Sequence, residues 1–84
     1  MLNDDAKKDF ERGDAVEIVM GPDVGTKGTV NLITRMPTDT ELADAMGIPW
    51  LKLGLKTGDK VVKILVPGEG NVWAKRRWVD ETTL

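Results

Sequence analysis

The chain has 84 residues, enough for one small domain, with neither Cys nor His and a net charge of −2. These counts exclude disulfides, thiolate zinc sites and His-dependent acid–base or nucleophilic chemistry. A domain this small buries only about 60% of the surface that its unfolded chain exposes, which leaves no room for a deep enclosed active site.

Met1-Leu-Asn-Asp-Asp5 is acidic and polar where a secretory signal would be basic and then apolar. No segment approaches the roughly 18 apolar residues that span a bilayer, so a cytoplasmic protein or a component of a soluble particle is expected. Asn3 can cap a short helix running to about Arg12, with Gly13 as its stop, and the alternative for residues 1–13 is a charged disordered arm. Residues 14–84 are read as the folded domain.

Ala15 to Met20 alternates, with Val16, Ile18 and Met20 on one face and Glu17 on the other, which predicts a half-buried strand. Gly21-Pro-Asp-Val-Gly25 supplies a turn, and Lys27 to Thr34 resumes strand character through Val30 and Leu32, so the two segments read as a hairpin. Thr38-Asp-Thr-Glu41 matches a capping box, with Leu42, Ala45 and Met46 as the packing stripe of a two-turn helix that Gly47 and Pro49 end. Such a helix would lie as a lid over one end of the fold. Trp50 to Lys56 reads as a strand with Leu51, Leu53 and Leu55 inward and Lys52 and Lys56 outward. Thr57-Gly-Asp-Lys60 turns it into a further strand, Val61 to Val66, with Val62, Ile64 and Val66 inward and Lys63 outward. Pro67-Gly-Glu-Gly70 is a third turn, followed by a short strand around Val72, a tight helical turn near Ala74 to Arg76 and a last strand around Trp78 and Val79. The class expected is all-β, and closing short strands into a small barrel removes exposed edges most economically at this size.

The series Arg12-Gly-Asp-Ala-Val-Glu-Ile-Val-Met-Gly-Pro-Asp-Val-Gly-Thr-Lys-Gly-Thr-Val30 resembles a KOW motif over about a quarter of the chain. Gly13 and Asp14 enter the strand, Val16 and Ile18 lie within it, and Gly21, Gly25 and Gly28 carry the turn and the close strand approach. The resemblance implies a five-stranded Src-homology-3-like barrel, here with a helical insertion, of the kind found in ribosomal proteins and NusG-type elongation factors that touch RNA, polymerase or other proteins. RNA-holding members usually carry Lys or Arg in that turn, whereas this turn has Pro22, Asp23, Val24 and Thr26 with only Lys27 basic.

Charge is distributed unevenly along the chain. Residues 1–49 hold five basic and ten acidic groups, a sum of −5, whereas residues 50–78 hold seven basic and two acidic, a sum of +5. Trp73, Lys75, Arg76, Arg77 and Trp78 form the densest basic–aromatic cluster, suited to phosphate pairing and base stacking. Lys52, Lys56, Lys60 and Lys63 could extend it into a basic surface. The nucleic-acid-binding candidates are therefore Lys75, Arg76, Arg77, Trp73, Lys52 and Lys63, and their plainer reading is a solvated turn, core indoles and lysines that keep strands from aggregating. Replacing Lys75, Arg76 and Arg77 together by Ala is expected to cost nucleic-acid binding and leave the fold intact. Trp50 and Trp73 are candidate anchors for a protein partner, although Trp50 could equally plug the fold. Asp14, Asp59 and Asp80 lie beside turns or strand ends, where Asp commonly bonds backbone amides, and no catalytic residue is named. The acids show no EF-hand spacing, so neither a metal nor a cofactor is expected. The expected function is a non-enzymatic module for RNA or DNA in a ribonucleoprotein or transcription complex. The alternative is a protein–protein accessory subunit, such as a polymerase-bound regulator or virion component. No small-molecule substrate and no membrane partner is expected.

Overall fold

The computed structural model describes residues 10–83. Strands β1 (Ala15–Ile18), β2 (Lys27–Arg35), β3 (Lys60–Val66), β4 (Gly70–Lys75) and β5 (Val79–Glu81) form one antiparallel sheet in the order β4-β3-β2-β1-β5. Helices α1 (Thr40–Ala45) and α2 (Trp50–Leu53) lie between β2 and β3, and a 3-10 turn at Arg76–Trp78 leads from β4 into β5. The strand pairing leaves the sheet open, with β4 and β5 as its edges. The helix expected from Asn3 falls on residues outside the described ones, apart from Phe10 to Arg12, which form coil and the start of a turn. Phe10, which the sequence reading puts in the N-terminal helix or arm, is buried in the sheet core.

Period-two alternation sets the main core. Val16 and Ile18, Val30, Val62, Ile64 and Val66, Ala74 and Val79 all point to one side of the sheet and close around Phe10. Two matching turns lead into β1 and β3: in Glu11-Arg-Gly-Asp14 and Lys56-Thr-Gly-Asp59 the Asp carboxylate accepts the amide three residues earlier at 2.8 Å. The Asp amide returns a bond of 3.0 Å to the carbonyl of that same residue. Each carboxylate thereby fixes the direction in which its strand starts.

Four expectations are corrected. Met20 lies beyond the end of β1 and is exposed. The register shifts between Val30 and Leu32, so the extra residue, Asn31, hands the inward position to Ile33 and turns Leu32 out. Residues 50–53 are helical, with Pro49 at the start and Gly54 in the left-handed conformation at the end. There the Leu55 amide donates to the Trp50 carbonyl at 2.9 Å and that of Gly54 to Leu51 at 3.2 Å, a Schellman ending. Leu53 and Leu55 are buried whereas Leu51 is 78% exposed, because a single helical turn can imitate strand alternation. Finally, the capping residue of α1 is Asp39, accepting the Glu41 amide at 2.9 Å, and Thr38 lies outside the helix. Started there, α1 packs through Ala43, and the stripe of Leu42, Ala45 and Met46 faces solvent.

A second cluster sits on the other side of β3. Met36, Ala43, Ile48, Leu53, Leu55 and Val61 pack together, with Trp50, Trp73 and Trp78 at its border. The helical excursion is thus bound to the sheet through Val61 and through the tryptophans.

Gly28 marks the closest approach of β2 and β3: a Cβ there would run into the Leu65 carbonyl and stand 2.8 Å from Ile64 Cγ2. Gly28→Ala should lower the unfolding free energy by about 3 kcal/mol, the upper end of overpacking costs. Urea denaturation measures it, and a loss below about 1 kcal/mol would mean that the strands are free to separate there.

Candidate functional site

The sheet has an outer face, opposite the main core, that pairing defines cell by cell. Leu32 pairs with Lys63 and Lys63 with Trp73, while Thr29 pairs with Leu65 and Leu65 with Asn71. Residues so paired stand side by side, and those offset by two are diagonal neighbours, which puts Lys75 next to Lys63. The Asn31 side-chain amide donates to Asn71 Oδ1 at 3.2 Å and ties the bulge of β2 to β4.

Two lysines on this face rest on indoles. Lys63 Nζ lies 5.6 Å from the Trp73 ring centroid, and Lys75 Nζ lies 5.3 Å from that of Trp78. Each ammonium is attracted by the ring quadrupole, worth about 0.5–1 kcal/mol at exposed sites, so the cations are held near the aromatic surface. Trp78 is fixed in turn against Gly21, where a Cβ would come within 2.7 Å of the ring. Gly21 and Gly25 lie in the β1–β2 turn, Gly13 and Asp14 in the turn that leads into β1, and Gly28 at the close contact with β3.

Beside Trp73 lies a cleft of about 230 Å³ lined by Asp23, Pro49, Lys52, Leu53, Asn71, Val72 and Trp73. It is smaller than the roughly 300–1,000 Å³ of small-molecule sites and suits one ring or one side chain. Lys52 reaches it from α2, not from a strand as the alternation suggested. Asp23, Asn31 and Asn71 were not singled out from sequence; only the Asp in the glycine-rich turn offered a signal, and the bulge that brings Asn31 into position offered none.

Arg76 is the main correction to the candidate set. It is 2% exposed, its guanidinium lies 3.9 Å from the Phe10 ring centroid, and Nη1 donates to the Val79 carbonyl at 3.1 Å. A guanidinium in that position reaches no phosphate, and replacing it would damage the core, so the triple alanine substitution would not leave the fold intact. Arg77, next to it in the 3-10 turn, is exposed. Trp50 is half-buried, with Nε1 donating to Asp44 Oδ1 at 2.8 Å and the ring against the second cluster. Trp73 borders the same cluster and opens on the cleft. Asp14 and Asp59 are spent on their turns, and Asp80 lies opposite Glu17 on β5.

Among the described residues no group of three His, Cys, Asp or Glu is placed to hold a metal ion, and no helix is long and apolar enough to cross a membrane. Comparison with known proteins adds no relative: no family model, no curated protein and no solved structure matches the chain.

Arg76 and Arg77 should therefore respond in opposite ways. Arg76→Ala is expected to destabilise by about 3 kcal/mol, having removed a buried, bonded cation, whereas Arg77→Ala should stay within about 0.5 kcal/mol. Thermal unfolding of the two variants side by side checks this, and equal effects would refute the inward placement of Arg76.

Proposed function

We propose that the chain is a non-enzymatic KOW-like binding module that holds single-stranded nucleic acid on the outer face of β3 and β4, as part of a ribonucleoprotein or transcription complex. The observation that carries this reading is convergence: Lys52 and Trp73 line one cleft, Lys63 lies over the Trp73 ring, and Lys75 is its diagonal neighbour. A strand of nucleic acid offers bases for an indole and phosphates for ammonium groups, and unstacked bases are needed for both at once. A base entering against Trp73 would move the Lys63 ammonium off the ring and toward the backbone. Asp23 in the cleft repels phosphate, so the backbone would run on the side of Lys63, Lys75 and exposed Arg77. The Src-homology-3-like barrel belongs to this reading, supported by the strand order and by the 3-10 turn that joins the two edge strands.

A protein–protein accessory role is the second reading, favoured by the exposure of Leu42, Met46 and Leu51 on the helical excursion. Salt separates the two, since releasing counterions from phosphates makes affinity fall steeply with ionic strength while an apolar contact changes little.

Fluorescence anisotropy with labelled oligouridine and oligothymidine across a salt series tests the first reading. Lys52→Ala and Lys63→Ala should each reduce the log–log salt slope by about 0.7, and Trp73→Phe should weaken binding with the slope retained. Affinity that ignores all three substitutions would overturn it.

A further inference from the structure

The apolar stripe of α1 is turned away from the core that it would ordinarily help to form. Leu42 is 50% exposed, Ala45 and Met46 are exposed with it, and the buried residue of the helix is Ala43. From Met36 to Leu51 the chain carries Asp39, Glu41 and Asp44 and no Lys or Arg, so the α1 surface is apolar with an acidic rim, and Lys52 stands near Asp44 only at its α2 end. On the outer sheet face, Leu65 is 47% exposed and Leu32 is exposed; Leu32 pairs directly with Lys63, and Leu65 follows two positions along the same face of β3. That second surface is apolar with a basic centre, and Lys75 extends it. The two surfaces share no residue and lie on different elements.

We propose that they are the two halves of one contact, in which the α1 face of one copy docks on the Leu32–Lys63–Leu65 face of another. Apolar side chains on both surfaces would be removed from water together, and the opposite charges set which face meets which. A polyanion would be repelled by the acidic rim of α1, and a foreign protein is not needed to supply a basic apolar surface that this chain already presents. Because the two patches differ, the contact is heterologous, and it ends in a closed ring or pair only if the geometry brings the last free faces together. This inference does not depend on the nucleic-acid reading.

Sedimentation equilibrium of the full chain over a concentration series tests it. The weight-average mass should rise above the 9.2 kDa of the monomer and fall back as NaCl is raised. The variant Leu42→Ser with Met46→Ser, and the variant Leu32→Thr with Leu65→Thr, should each remain monomeric. Mixed in equal amounts they should form a pair of twice the monomer mass, since each keeps the half that the other has lost. The replacements are neutral so that no new charge pair can arise in the mixture. Circular dichroism establishes that both variants are folded, and if either is not, the salt and concentration dependence of the unaltered chain decides. A chain that is monomeric at every concentration and salt, or folded variants that stay monomeric when mixed, would overturn the proposal.

Discussion

β3 is a wall with a core on each side, and the arrangement of everything else follows from that. Val62, Ile64 and Val66 face the sheet core while Val61 lies under the helical excursion. Full burial of such side chains is worth about 1.5–3 kcal/mol each, so a strand anchored on both faces has little freedom to slip in register. With β3 fixed, β2 and β4 are placed by their pairing on either side of it. The excursion packs over the Val61 end and, through Pro49, Lys52 and Leu53, reaches the cleft at Asn71–Trp73, while Leu65 stays exposed. The surface proposed for binding is therefore the part of β3 and β4 that continues past the second core, with Trp73 at the border between the two.

The strands that alternate cleanly were legible in the sequence, and so were the turns that join them. Val16 with Ile18, and Val62 with Ile64 and Val66, point where period two requires, and the Gly-Asp entries to β1 and β3 each use their carboxylate as the turn chemistry predicts. Part of what could not be read is local ambiguity, as where Asp39 and not Thr38 caps α1, and part rests on contacts distant along the chain. Leu51, Leu53 and Leu55 alternate as well as any strand, but Trp50 and Leu55 both join the second cluster and Gly54 closes the turn between them. The bulge at Asn31 depends on how β2 meets β3, and nothing local announces it.

Arg76 shows the same limit within the candidate site. Three consecutive residues, Lys75, Arg76 and Arg77, read as one basic cluster, yet the 3-10 turn sends them in different directions: one over Trp78, one into the core, one to solvent. The inward choice falls on Arg76 because Phe10 waits there with a ring face, 66 positions earlier in the chain. A planar guanidinium can stack on that face and still direct an N–H to the Val79 carbonyl, which a lysine could not do with the same geometry. The charge that composition assigned to the surface is thus a structural group, and it ties the start of the described chain to its last strand.

The +5 and −5 halves of the sequence do not become two hemispheres, because Arg76 is withdrawn and Asp23 enters the cleft beside Lys52. What remains are two local surfaces of opposite sign, each with exposed apolar side chains: the α1 stripe and the outer sheet face. Lys63 belongs to both roles argued for the sheet face, since it neighbours Trp73 on one side and Leu32 on the other. Nucleic acid held at Trp73 and a second copy seated on Leu32 and Leu65 would draw on the same ammonium, so each must weaken the other by an equal factor at equilibrium. A domain of this size has one open sheet face to offer, and competition for it would be the direct consequence of putting both a cation and an apolar pair on that one face.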